Sequence, residues 1–352
     1  MGDETTAKRK DAHLDLCATG EVEPRQNSTL LECVKLVHCA MPELDAADVD
    51  LSTEFLGKRL RCPLLITGMT GGTERAGKVN KDLATLAERH GLAFGVGSQR
   101  AMSEAPERAA SFQVRDVAPT VALLGNIGLY QAARLGVDGV RRLMDAIGAD
   151  GMALHLNAGQ ELTQPEGDRD FRGGYALVEG LVKAFGARLL VKETGCGIGP
   201  DVARRFKELG VRNIDVSGLG GTSWVRVEQL RATGLLAQVG AEFSGWGIPT
   251  AAATASVRQA VGPEVRLVAS GGIRTGLEAA KVLALGADIA GMALPLFKAQ
   301  QEGGLEGAEK ALQVILAGLR QAMLLTGSKV CADLRRRPVI KTGELKDWLA
   351  AL

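Results

Sequence analysis

Residues 265–294 read VRLVASGGIRTGLEAAKVLALGADIAGMAL. Val265–Ser270 is apolar at nearly every position, as expected of a parallel strand buried on both faces. Ser270-Gly271-Gly272-Ile273-Arg274 breaks that run, Thr275–Leu285 carries apolar residues at helical spacing, and Asp288–Ala293 is a second short apolar run. Strand, glycine-rich turn, helix, strand is one unit of a parallel α/β fold. Working toward the N-terminus, the same reading gives strands at Pro63–Met69, Leu92–Gly97, Val121–Ile127, Gly151–Asn157, Arg188–Glu193 and Asn213–Ser217. Amphipathic stretches lie between them at Ala76–His90, Gln131–Ile147, Gly174–Phe185, Asp201–Leu209 and Thr250–Val261, with a shorter one at Glu104–Phe112. Leu305–Leu325 follows the last strand.

Eight strands alternating with helices over roughly 260 residues predict an α/β protein built as a single closed (β/α)8 TIM barrel with an N-terminal arm. An open doubly wound sheet is disfavoured, because no G-x-G-x-x-G follows the first strand and no second half has its own switch point. The barrel takes residues 61–330. Residues 1–60 carry few helix or strand signals and read as an arm or cap laid across it, and 331–352 form a C-terminal extension. The crossings Ala158–Gly173 and Leu219–Gly247 are long, and long loops in a compact fold are usually functional.

The 352 residues carry 42 Lys plus Arg against 41 Asp plus Glu, so no global field attracts nucleic acid or an anionic membrane. An anionic ligand must therefore be held by local charges. No apolar run approaches the roughly 18 residues of a membrane span. Met1 to Cys17 has no apolar segment resembling a secretory signal, and the expected location is cytoplasmic. Cys17, Cys33, Cys39, Cys62, Cys196 and Cys331 form no C-x-x-C pair and read as small buried hydrophobes in a reducing compartment. Cys196 alone sits in a glycine-rich loop, where packing is the simplest role.

Barrel sites lie where strands end and βα loops begin. Polar residues fall there on nearly every strand: Thr67 and Thr70, Ser98, Asn126, His155 and Asn157, Lys192 and Glu193, Ser217, and Arg274. Such a ring points to a shared ligand. Ser270-Gly271-Gly272-Ile273-Arg274, Gly291-Met292-Ala293-Leu294 and Ser217-Gly218-Leu219-Gly220-Gly221-Thr222 offer backbone N–H groups to an anion, favouring a phosphorylated cofactor. Lys192 ends an apolar run, so its ammonium enters the barrel mouth and needs an anionic partner; Glu193 points the other way along the strand. Lys192 can pair with a neighbouring strand's carboxylate, stabilise an anionic reduced flavin, form a Schiff base or bind phosphate. His155 and Asn157 share a face, followed by Gln160 and Glu161, a carboxylate among amides that suits Mg2+ held partly through substrate phosphate. Arg9, Lys10 and His13 in the arm, with Ser98-Gln99-Arg100 at the rim, form a clamp for a diphosphate if the arm folds over the mouth. Arg335-Arg336-Arg337 reads as surface charge.

Together these motifs resemble the type 2, flavin-dependent isopentenyl-diphosphate isomerases from Arg9 to about Arg337. The resemblance rests on Arg9-Lys10-x-x-His13, Thr67-Gly68-Met69-Thr70-Gly71-Gly72, Gly97-Ser98-Gln99-Arg100, Asn126-Ile127-Gly128 and His155-Leu156-Asn157-x-x-Gln160-Glu161. It continues through Val191-Lys192-Glu193, Gly220-Gly221-Thr222-Ser223-Trp224 and Ser270-Gly271-Gly272-Ile273-Arg274. Leu14 and Gly174-Tyr175 depart from the pattern without touching a charged group. It implies an FMN barrel that interconverts isopentenyl and dimethylallyl diphosphate, with Mg2+ at Glu161, NAD(P)H as reductant, and a homo-oligomer of four or more subunits. Thr67, Gly68, Met69, Thr70, Ser98, Asn126, Lys192, Ser217 and Thr222 are expected to hold the flavin, and Gly272, Ile273, Arg274, Ala293 and Leu294 its phosphate. Arg9, Lys10, His13, Ser98, Gln99, Arg100, Asn157 and Gln160 are expected at the substrate, with His155 and Gln160 orienting groups or relaying protons. The nearest rival, an FMN oxidoreductase on a similar barrel, lacks here an evident carboxylate-binding Arg and catalytic Tyr pattern, the only tyrosines being Tyr130 and Tyr175.

Overall fold

In the computed structural model, eight short parallel strands pair in chain order and the eighth closes onto the first. They are β1 (Leu64–Ile66), β2 (Ala93–Gly95), β3 (Ala122–Gly128), β4 (Gly151–His155), β5 (Leu189–Lys192), β6 (Asn213–Asp215), β7 (Arg266–Ala269) and β8 (Ile289–Met292). Each falls within a strand expected from sequence, save that β3 runs one residue further. The structure describes residues 2–19, 21–23 and 28–352, with side chains in the first helix from Lys10 onward.

The barrel interior is layered. Leu65, Ala93, Leu124, Ala153, Leu190, Val268 and Ile289 form one apolar cluster, and Phe55 and Leu60 join it from outside the barrel sheet. Those two belong to a hairpin, Thr53–Phe55 paired with Lys58–Leu60, that closes the barrel at the end opposite the βα loops. Its turn residues Leu56 and Gly57 both have positive φ (50° and 74°), as a two-residue turn between twisted strands requires. Lys58 bolts the hairpin to the barrel through Asp150 Oδ2 (2.8 Å) and the carbonyl of Val121 (3.1 Å). Above the apolar layer the register places His155, Lys192 and Asp215 in one row across β4, β5 and β6.

Three parts of the chain differ from the sequence expectation. The arm contains a helix, Gly2–Thr19, that no apolar stripe announces; it is docked by burial of Leu14 and Cys17 and by polar contacts, Thr73 Oγ1 to Asp11 Oδ1 at 3.0 Å and Arg75 to Asp15 at 2.6 Å. The two long crossings are partly helical, at Ala158–Thr163 and at Trp224–Arg231 and Gly234–Phe243. The helix after β8 begins at Leu294 rather than Leu305 and is interrupted at Gly303 and Gly304. Arg335, Arg336 and Arg337 are exposed, as expected of surface charge, but Arg335 also joins Arg258 and Arg266 on the buried Asp288, fastening the extension to the barrel. Val339–Lys341 of the extension also pairs with Val34–Leu36 of the arm.

The hairpin makes a direct prediction. Phe55→Ala empties the apolar end of the barrel and should cost about 3–5 kcal/mol, read as a lowered urea midpoint with unchanged m-value.

Candidate active site

The loops after β6 and β7 meet backbone to backbone. A Cβ on Gly221 would lie 2.3 Å from Gly272 N, and one on Gly272, whose φ is +75°, would lie 2.4 Å from Gly220 O. Glycine is the residue that permits this approach. Ser217, the first residue of its loop, is held at φ +38°, a strained conformation for a residue with a Cβ. Arg274 braces the arrangement, donating to Gly272 O at 2.6 Å, Gly220 O at 2.8 Å and Glu23 Oε1 at 2.5 Å. The neighbouring helix Gly276–Ala284 has its N-terminus closed by a Thr275–Glu278 capping box, whereas Ala293 gives no side-chain cap to the helix starting at Leu294. Pro295 has no N–H to give, but the backbone N–H groups of Leu294 and Leu296 on either side of it are thus available to an anion.

These elements enclose a cleft of about 660 Å³ lined by Thr67, Gly68, Met69, Lys192, Ser217, Thr222 and, at the glycine-rich end, Gly272, Ile273, Arg274, Ala293 and Leu294. A second cleft of about 700 Å³ opens beside it, lined by Lys10, His13, Ser98, Arg100, Asn126, His155, Asn157, Gln160 and Glu161. The clefts share Gly68, Met69, Lys192, Thr194 and Trp224. The sequence-predicted residues therefore separate into two sets that meet at Lys192. Ser98 and Asn126, expected at the cofactor, lie on the second cleft.

Three expectations need amendment. Gln99 does not reach the clefts: it is fully buried, with Oε1 accepting from Asn126 N (2.9 Å) and Nε2 donating to Leu143 O (2.9 Å). Thr70 is buried behind the lining, and its carbonyl accepts from Gly97 N and Asn80 Nδ2. The side chain of Arg9 lies outside the described residues.

Hydrogen bonds fix the orientation of the second cleft's polar groups. Asn126 Nδ2 donates to Val96 O at 3.1 Å, which directs Oδ1 toward His155 Nδ1 at 2.7 Å. His155 therefore carries its proton on Nδ1 and leaves Nε2 bare. Burial, with Lys192 and Lys10 nearby, drives its pKa down to about 3, so the ring is neutral. Asn157 Nδ2 donates to Glu161 Oε1 at 2.9 Å and to Gln160 Oε1 at 3.3 Å; Gln160 Nε2 in turn donates to Glu228 Oε1 at 3.0 Å. Asn157 Oδ1 is left buried without a protein partner, as are Gln131 Nε2 and Gln164 Nε2 on the same cleft. Such atoms favour a bound ligand, since a lost partner costs about 1–3 kcal/mol.

Glu228, which sequence reading missed, anchors this network from behind. It accepts from Arg231 and Gln160 and lies 3.1 Å from His13 Nε2, whose ring meets Trp224 edge-on at 5.2 Å. The imidazole N–H is not aimed along that contact, so the attraction is electrostatic rather than an aligned hydrogen bond. Burial alone would raise Glu228, but His13, Arg231 and Gln160 outweigh it and hold the carboxyl at about 2. Its contribution to stability is complete above about pH 4.5 and is lost as the pH falls toward 2. Burial also holds His13 below the ordinary histidine value of 6.5, so its contribution to arm docking is complete above about pH 6.5 and is lost as the pH falls below it. Gln131, Gln164 and Asp215 were also missed. Burial pushes Lys192 down and Asp215 up, each opposed by the other's charge. Burial also raises the Cys196 thiol to about 12, in keeping with a packing role.

The first cleft fits a flat phosphorylated cofactor: a glycine-only cradle and an uncapped helix start lie at one end, a cation at the other. Among the described residues no three His, Cys, Asp or Glu side chains converge as a metal cage. The second cleft fits Mg2+ only with Glu161 joined by amide and ligand oxygens.

Comparison with known proteins gives first the class and then the family. A family described as FMN-dependent dehydrogenase matches residues 174–341. A mandelate oxidase variant (TM-score 0.68, 18% identity, 96% of this chain and 99% of that one) shares the barrel. So does a flavocytochrome b2 variant (TM-score 0.70, 17% identity, 97% and 84%). The class is that of the FMN-dependent TIM-barrel enzymes. An isopentenyl-diphosphate delta-isomerase of Thermococcus onnurineus is 42% identical over 99% of this chain and 94% of its own. Those of Metallosphaera sedula (45%; 97% and 94%) and a Synechococcus strain (45%; 95% and 96%) are similarly close. The chain belongs to the isopentenyl-diphosphate delta-isomerase family, in its flavin-dependent type 2 form.

Gly221→Ala should weaken FMN binding at least about tenfold, or about 1.4 kcal/mol, in a fluorescence titration while the fold persists by circular dichroism.

Proposed function

We infer that this chain interconverts isopentenyl and dimethylallyl diphosphate, moving one C=C bond by flavin-mediated proton transfer in isoprenoid biosynthesis. The observation that carries this reading is the pair of clefts, each with its own anion-binding end, meeting at Lys192 and Trp224. One cleft suits the phosphate of FMN and the other a diphosphate. A one-site oxidase has no need of the second set.

The substrate double bond is unactivated. Moving it requires a proton on one carbon and loss of a proton from another, through cationic character at a tertiary carbon, with water kept out. FMN, when bound in its reduced form, supplies an acid–base group near N5 and an electron-rich face. Lys192 holds a positive charge where the clefts meet. Lys10 and Arg100 take the diphosphate, with Arg9, His13, Ser98 and Asn157 completing its site. His155, neutral and bare at Nε2, accepts rather than donates and suits a proton relay better than a phosphate clamp. Gln160 is aimed by Glu228 and Asn157 and orients the substrate. Glu161, with Asn157 beside it, holds Mg2+ through the substrate's phosphates.

Flavin reduction is assigned to NAD(P)H, since the isomerisation itself consumes no electrons. A homo-oligomer of four or more subunits is supported by the exposed apolar row Leu235, Val239, Phe243 and Trp246. A cytoplasmic setting is supported by six unpaired cysteines, and among the described residues no helix is long and apolar enough to cross a membrane.

The test is anaerobic turnover of isopentenyl diphosphate in deuterated water, with FMN, NADPH and Mg2+, followed by NMR. Deuterium-labelled dimethylallyl diphosphate with the flavin still reduced is expected. Stoichiometric flavin reoxidation by substrate would overturn the reading in favour of an oxidoreductase.

A further inference from the structure

Asp215 is a fully buried carboxylate that the reaction described above does not use. One oxygen is committed: Oδ1 accepts from Ser270 Oγ at 2.7 Å and from Ser217 N at 3.1 Å. The other, Oδ2, is buried with no protein partner. The β5–β6 register sets Asp215 opposite Lys192, and both line a narrow space under the point where the two clefts meet. Lys192 Nζ donates to Glu193 O at 2.5 Å, a neutral acceptor. The Glu193 carboxylate is turned into its own loop, accepting from Thr194 N and Cys196 N at 2.5 Å each.

The other titratable groups facing Lys192 do not replace Asp215. His155 from β4 is neutral, and Lys10 from the arm is a cation. Glu193, on the same strand, points away and is pushed up to about 7 by burial. A buried ammonium without a matching anion loses its proton.

We propose that Asp215 is the counter-ion of Lys192, a positioning residue that keeps a cation at the floor of the cofactor cleft. Ser270 and the Ser217 amide hold Asp215 ionised from the far side, so a relay of three strands, β7 to β6 to β5, sets the charge beneath the cofactor. The inference rests on the reading of the first cleft as the FMN site. Its electrostatic content is that Asp215 offsets the field of Lys192 while preserving it, and so fixes the pH range over which the flavin meets a positive charge.

The experiment is an anaerobic redox titration of the FMN holoenzyme from about pH 6 to about pH 10, spanning the range in which a lysine can titrate. The wild type should show a break in the slope of midpoint potential against pH where Lys192 loses its proton. Asp215→Asn keeps the shape and the Oδ1 acceptor. It should move that break to lower pH and, below the break, raise the potential, because a negative charge near the ring is gone. Lys192→Met should lack that break and keep only the one set by ionisation of the reduced flavin itself. Asp215→Glu, which keeps the charge, should keep a break close to the wild-type position. If Asp215→Asn does not fold, Ser270→Ala should move the break the same way by less, because ionised Asp215 loses a donor. An Asp215→Asn or Ser270→Ala holoenzyme with the wild-type profile would overturn the proposal, as would a Lys192→Met profile identical to the wild type's. Wild-type protein that retains no FMN would overturn the underlying reading instead.

Discussion

Closing eight parallel strands into a ring brings their ends together in a space with little water, and one of those ends carries an ammonium. Burying a charge costs several kcal/mol even after relaxation. Much of the architecture around Lys192 can be read as an answer to that cost. Below it, the interior is apolar and sealed by Phe55 and Leu60 of the hairpin. At its own level Asp215 faces it from the next strand and Glu193 O accepts one of its hydrogen bonds. Beyond it, two clefts open, each shaped for an anion. A cation at that junction is of use only if something negative or electron-rich sits on it, and the family to which the chain belongs supplies both candidates, a flavin and a diphosphate.

The elements outside the barrel serve the same junction. The arm helix brings Lys10 and His13 over the second cleft, and Glu228 secures it by receiving His13, Arg231 and Gln160 at one carboxylate. Glu23 of the arm reaches the cofactor loop through Arg274. The arm's strand pairs with the extension, which is tied in turn to Asp288 at the opposite end of the barrel. Binding groups on a segment remote in sequence are thereby held in register with those on the strands.

The barrel was legible because strands buried on both faces read as short apolar runs and glycines mark where each ends. The site was legible as far as it consists of polar residues at those ends, such as His155, Asn157 and Lys192. What escaped depends on contacts between distant segments. The arm helix carries no apolar stripe along its length; only Leu14 and Cys17 near its C-terminal end enter the core, and Thr73, Arg75 and Glu228 hold the rest by polar contacts. Glu228 itself, four residues after Trp224, looks like any solvated helix carboxylate. Gln99 shares a motif with Ser98 and Arg100, yet the chain turns it inward to bond the backbone at Asn126 and Leu143. Asp215 was passed over because Ser217 two residues on offered a more conspicuous polar strand end.

The central claim is a division of labour between two adjoining anion sites. A crystal structure with FMN and an unreactive analogue of isopentenyl diphosphate tests it most directly. The account predicts the FMN phosphate against the backbone of Gly272, Ile273, Ala293 and Leu294, the ring over Lys192, and the diphosphate among Lys10, Arg100 and Gln160. A diphosphate seated in the glycine cradle, or a ring placed away from Lys192, would contradict it.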